Sequence, residues 1–161
     1  MSWHVELGDA EIVVSHPPGP AGSGDPEVRR VLPLGVVTLL AELASDPPRP
    51  EELTNAVGAV IDHLDDLVRE RPDLVGAPVS MSGPEITAVV AVELGGAAPL
   101  PFLLERAAAE DVFRTVATEP RADRARNPGL DPLLVERIVA GSCAVVAVMR
   151  KLHLDAVTVA P

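Results

Sequence analysis

The chain has 161 residues, 47% of them hydrophobic and 23% charged, which is the composition of a globular domain with a buried core rather than of a disordered acidic segment. Aromatic residues make up 2% and the formal charge is −11, so stacking platforms for bases and a basic footprint for phosphate backbones are both missing, and no nucleic-acid partner is expected. Cys143 is the sole cysteine, which excludes an internal disulfide and a thiolate zinc site.

Residues 3–7 and 10–14 read as two short strands around Gly8-Asp9. The stretch 15–27, S-H-P-P-G-P-A-G-S-G-D-P-E, is a Pro/Gly-rich loop, because proline removes ladder donors and glycine adds backbone freedom. Residues 28–34 then give a third strand and complete a three-strand meander. After Gly35 comes an apolar segment over 36–44. Pro50-Glu51-Glu52 opens the clearest helix, with proline in the first turn and carboxylates at the positive end of the dipole. Its Leu53, Val57, Val60, Ile61, Leu64, Leu67 and Val68 follow the three-four spacing of one buried stripe, ending near 69–72.

A fourth strand is predicted over 77–81, with Ser82-Gly83-Pro84-Glu85 turning into a helix that runs to about Leu94 and is closed by Gly95-Gly96. A further helix is predicted over 102–118. Asp131-Pro132 starts a long helix to about Leu152 whose middle, 138–149, is apolar on nearly every face and so is sandwiched rather than surface-lying. A last strand covers 156–160. This order predicts one α/β domain over 1–161: a mixed sheet with helices packed on it and parallel pairing at its centre, as in a ribonuclease H-like or actin-like lobe. No run of about 18 uncharged apolar residues is available to span a membrane. The first residues lack the basic flank and apolar run of a signal peptide, so no membrane association and a cytoplasmic location are expected.

Local motifs go further. P-G-L-D-P-L-L-V-E-R-I-V-A-G at 128–141 and V-M-R-K-L-H-L-D-A-V-T-V at 148–159 resemble the C-terminal part of the exopolyphosphatase and guanosine pentaphosphate phosphatase (Ppx/GppA) family. V-E-L-G-D-A-E-I-V-V at 5–14 resembles that family's D-[IL]-G-G-G-S-x-E strand-turn-strand. V-L-P-L-G-V-V-T-L at 31–39 resembles its L-P-L-G-x-V-R-L, and V-S-M-S-G-P-E-I-T at 79–87 its G-x-G-G-T-x-T-T turn. The resemblance covers essentially the whole chain and matches only the second of the family's two actin-like lobes. It implies hydrolysis of inorganic polyphosphate or guanosine pentaphosphate with Mg2+, the phosphates lying in a cleft between lobes. The first lobe, which carries the family's catalytic carboxylate, has no counterpart here, so no catalytic residue is assigned.

The departures from the family pattern fall on polar positions. Gly-rich turns bind phosphate by offering unobstructed backbone N–H groups. Here the first turn is shortened to Gly8-Asp9-Ala10, with an aspartate where an anion would approach; the family's aspartate becomes Glu6 and its glutamate is matched by Glu11. In the second turn Gly83 and Thr87 match, Ser80 and Ser82 replace glycines, and Pro84 replaces a threonine and removes an N–H donor. Thr38 and Leu134 stand where the family has arginines. Glu6, Gly8, Glu11 and Gly83 are therefore the expected remnants of a phosphate site.

Other candidate groups have plainer readings. His4, His16, His63 and His153 show no ligand spacing, so no metal site is expected from them. Ser142 lacks a G-x-S-x-G elbow, and Cys143 beside it reads as core. Asp62, Asp65 and Asp66 read as a solvated helix face. Arg114, Arg121, Arg124 and Arg126 form a basic stretch that could hold a polyphosphate chain. Ion pairs with Glu110, Asp111, Glu119 and Asp123 are its simpler reading. The sequence thus points to an exopolyphosphatase-like lobe, inactive or weak by itself. The alternative is a non-catalytic interaction module that docks on a partner lobe or a second copy and exposes an apolar patch; a third reading is a truncated gene product.

Overall fold

Five residues of strict alternation, W-H-V-E-L, send Trp3, Val5 and Leu7 into the core and leave His4 and Glu6 on the opposite face, and this segment forms strand β1 (Trp3–Leu7). The computed structural model describes residues 2–24 and 26–161; Met1, and Asp25 within the expected loop 15–27, lie outside the described residues. β2 (Ile12–His16) and β3 (Val28–Leu32) complete the predicted meander. β2 starts two residues later than expected because Gly8 to Glu11 are used in the hairpin turn, closed by Gly8 N–H donating to Glu11 O at 3.0 Å.

The chain continues through a short helix α1 (Val36–Leu40), the long α2 (Pro50–Glu70), β4 (Val79–Ser82) and α3 (Pro84–Leu94). Gly95 at φ 68 closes α3, as the expected Gly-Gly stop requires. Residues 102–118, expected as one helix, divide into strand β5 (Phe102–Glu105) and helix α4 (Arg106–Thr118). The reason is non-local: β5 pairs antiparallel with the last strand β6 (Ala156–Val159), Leu103 opposite Thr158, and that ladder outweighs local helix preference. After α5 (Arg121–Arg124), the helix expected over 131–152 is also divided. A 3-10 turn at Pro132–Leu134, capped by Asp131 Oδ1 accepting Leu133 N–H at 2.9 Å, precedes α6 (Ile138–Lys151).

The strand order is β3-β2-β1-β4-β6-β5, with β1, β4 and β6 parallel at the centre and antiparallel strands outside. Every residue of α6 from Ile138 to Met149 is buried, as expected of a sandwiched helix, and α1, α2, α3 and α4 all pack against it. The buried strand residues Trp3, Val5, Leu7, Ile12, Val14, Met81, Leu104, Val157 and Val159 join α6 in one core. The alternate positions His4, Glu6, Ser80, Ser82, Leu103 and Thr158 are half-buried or exposed, so one face of the sheet is open.

Candidate functional site

The two turns expected to carry phosphate remnants lie side by side at one end of the central strands. Glu6 on β1 is the register partner of Ser82 on β4, which brings the β1–β2 turn against the β4–α3 turn. Gly83 has φ 135, and a Cβ there would stand 2.9 Å from Leu7 O, so glycine is required both by the backbone and by the neighbouring strand. Gly8 is likewise needed, since a Cβ would stand 2.7 Å from Glu11 O. The structure therefore brings Glu6, Gly8 and Gly83 together. Glu11 joins them through its backbone carbonyl, while its side chain and that of Glu6 are exposed.

The polar groups of this corner are turned to internal use. Val36 N–H and Val37 N–H, at the start of α1, donate to Gly8 O and Asp9 O, each at 2.9 Å. The approach is so close that a Cβ on Gly35 would meet Asp9 O at 2.4 Å. These helix-start donors are thereby spent on the turn's own carbonyls rather than on an anion.

Between the turns lies Arg137, at the start of α6. Its Nε donates to Glu85 Oε1 at 2.7 Å, and its Nη2 donates to Asp9 Oδ1. The Glu85 side chain is 1% exposed, its place made by Gly141, where a Cβ would fall 2.3 Å from the Glu85 Cβ. The Asp9 carboxylate, with Glu85 behind it, holds the Arg137 guanidinium above its ordinary pKa range. Neither Arg137 nor the role of Glu85 is visible in the sequence: the two lie 52 residues apart and no local pattern pairs them.

On the open face beside this corner, the His4 ring lies between two hydroxyls, Nδ1 at 2.8 Å from Ser80 Oγ and Nε2 at 2.9 Å from Ser82 Oγ. The other histidines are apart from it. His16 Nδ1 donates to Pro17 O, His63 Nδ1 donates to Ala59 O one helical turn back, and His153, at φ 55, ends α6 in a left-handed turn.

The fit of Mg2+ can be judged from the donors. Asp9 and Glu85, the carboxylates that meet between the turns, are both engaged by Arg137, and among the described residues no group of three or more His, Cys, Asp and Glu converges as a metal site. Asp9 and Glu85 are thus not free to supply the oxygen shell that Mg2+ demands.

The four arginines of the basic stretch each meet groups of the chain itself. Arg114 pairs with Asp111 and Arg126 with Asp123, the latter at 3.6 Å. Arg121 pairs with Glu136, and its backbone N–H donates to Asp46 Oδ1 at 2.7 Å. Arg124 is buried and donates to Val116 O, Val135 O and Glu119 O at 3.0, 3.2 and 3.0 Å; burial lowers its pKa from the usual range. Arg121, Arg124, Asp46 and Glu136 share the wall of a recess of about 140 Å³, so acids offset the bases there. Glu110 pairs with Arg150 rather than with the stretch. Ser142, by contrast, is buried in α6 with no partner for its Oγ, and burial pushes the Cys143 thiol up to about 12, the state of an inert core residue.

Among the described residues no helix is long and apolar enough to cross a membrane. No protein-family model matches the sequence, and no curated protein matches it. Solved structures do match. An exopolyphosphatase-like protein superposes with a TM-score of 0.86 at 18% identity over 99% of this chain and 54% of its own. A PPX-GPPA enzyme of Aquifex aeolicus gives 0.82 at 19% identity, over 99% of this chain and 52% of its own. An exopolyphosphatase from Cytophaga hutchinsonii gives 0.79 at 14%, over 99% of this chain and 53% of its own. The chain spans about half the length of the structures it matches, and it has the actin-like, ribonuclease H-like fold of one half of the Ppx/GppA phosphatases.

Proposed function

We propose that this chain is an exopolyphosphatase-like lobe, related to hydrolases of inorganic polyphosphate or guanosine pentaphosphate, whose phosphate corner is closed by its own ion pairs, so that it is inactive or weak when isolated. The observation that carries this reading is Arg137 held between Asp9 and Glu85, with the α1 donors spent on Gly8 O and Asp9 O. An incoming phosphate would meet the Asp9 carboxylate before any free N–H, and would have to break a pair whose inner carboxylate is buried. Pro84 removes one further donor from the second turn.

The test is titration calorimetry of the folded chain with polyphosphate and with guanosine pentaphosphate, each with Mg2+, followed by a phosphate-release assay on the same sample. No heat of binding and no release above background is the expected result. Turnover that is lost in Glu11→Gln would overturn it.

A second reading, a non-catalytic module that docks on another chain, is favoured by the apolar side chains on the segments that carry the Asp9–Arg137 pair. Val37, whose N–H bonds Asp9 O, is 51% exposed, and Leu133, in the 3-10 turn leading to Arg137, is 84% exposed. Self-association seen by sedimentation and abolished by Leu133→Glu would support docking on a second copy; a monomer at every concentration would remove that form of it.

A further inference from the structure

We propose that Ser82 is a nucleophile on the open face of the sheet, with the His4 imidazole as its general base and Ser80 as the residue that positions the ring, acting on uncharged acyl esters. The inference goes beyond the phosphate reading and does not depend on it. It starts from register: β1 and β4 are parallel neighbours with His4 opposite Ser80 and Glu6 opposite Ser82, so alternation places all four on the face away from the core.

One placement of the protons satisfies all three contacts of this cluster. Ser80 Oγ donates to Trp3 O at 3.4 Å, and a hydroxyl has a single proton to give. In that placement Ser80 Oγ accepts from His4, and the ring proton is assigned to Nδ1, 2.8 Å away. A neutral imidazole with its proton on Nδ1 has a bare Nε2, and that nitrogen, at 2.9 Å, accepts the proton of Ser82. A hydroxyl donating to an imidazole whose far nitrogen is held by a third group is the arrangement that activates serine nucleophiles. Ser82 is also held in place, because it immediately precedes Gly83, whose turn lies against Leu7.

The ester class follows from charge. Glu6, the cross-strand neighbour of Ser82 on the same face, would repel a phosphate ester, and an uncharged acyl ester carries no charge for it to repel. In the step proposed, Ser82 Oγ bonds to the acyl carbon and its proton passes to His4 Nε2. The ester C–O bond breaks, and the departing alkoxide takes that proton as an alcohol. Water, deprotonated by Nε2, then attacks the acyl carbon, and Ser82 leaves with the proton; ester and water become acid and alcohol.

The experiment is to incubate the full chain with p-nitrophenyl acetate, follow p-nitrophenolate release, and map the acetyl group by peptide mass spectrometry. A burst of one p-nitrophenolate per chain is expected, with the acetyl group trapped on Ser82 by acid quench before water removes it, and the burst rate reduced about 100-fold or more in His4→Ala and in His4→Asn. Ser80→Ala should slow acylation and Ser80→Thr, which keeps the hydroxyl, should restore it. Circular dichroism on each variant separates loss of activation from loss of fold. If a His4 variant unfolds, the mapped site in the unsubstituted chain decides. Acetyl groups found only at Lys151 or the N-terminus, or a Ser82 rate that is the same in folded His4→Asn, would overturn the proposal.

Discussion

Two corners of the molecule draw an arginine out of water, and they satisfy it in opposite ways. Around Arg124 the guanidinium gives its donors to three backbone carbonyls, and its charge is offset at a distance, by Asp46 at 3.9 Å and by Glu119. Around Arg137 the guanidinium faces two carboxylates, one of them buried, on two different turns. The first corner is a clamp on the path of the chain between α4 and α6. The second is a matter of charge compensation, in which the arginine makes the burial of the Glu85 carboxylate acceptable. The same residue type thus closes a loop in one place and ties two turns together in the other.

The largest effect should come from breaking the compensated corner. Arg137→Met leaves Glu85 buried without its cation and should cost about 3 kcal/mol in urea unfolding. Adding Glu85→Gln should recover most of that loss; a double variant no more stable than the single would dissolve the contrast. Arg124→Met should cost about 2 kcal/mol, because it leaves buried carbonyls without donors. Here neutralising the nearest acid, as in Asp46→Asn, should recover nothing, and recovery in a thermal melt would make the two corners alike.

A third measurement uses pH. Glu52, in the first turn of α2, accepts from Ser45 Oγ at 2.7 Å and from Arg49 N–H at 3.0 Å, and these bonds pull its pKa down to about 2. A carboxylate with a lowered folded-state pKa stabilises the fold above its unfolded value, near 4.5, and that contribution is lost as pH falls toward 2. Glu52→Gln should therefore flatten the acid limb of the stability curve between those values. An unchanged limb would mean that the compensation lies with other carboxylates. The smallest effect is expected at the surface pair Arg30–Glu70, with side chains 50% and 58% exposed, where Arg30→Ala should change stability by about 0.5 kcal/mol or less.

The contrast between the corners also marks how far the sequence could be read. Elements whose signal is local were legible: the alternation in W-H-V-E-L, the proline start and apolar stripe of α2, the glycine stop of α3, and the unbroken apolar run that buries α6. Features decided by distant partners were not. The segment F-L-L-E continues the apolar spacing of α4 and reads as helix until β6 supplies its ladder. Likewise, the start of α6 is displaced past a 3-10 turn, to the point where Arg137 can reach Asp9, 128 residues away in sequence. The adjacency of Gly8 and Gly83 followed from a motif resemblance, but the identity of the group lying between their turns needed the fold. Tertiary satisfaction of charge leaves no period in a sequence, and so the site's scaffold was easier to see than its occupant.

The central position of α6 has a consequence for motion. Because four other helices lie against it, the hydrogen-bonded amides of its buried middle are expected to exchange with deuterium only when the domain opens as a whole. Those amides are thus an internal gauge of global opening, against which the faster exchange of each peripheral strand can be measured on a single sample.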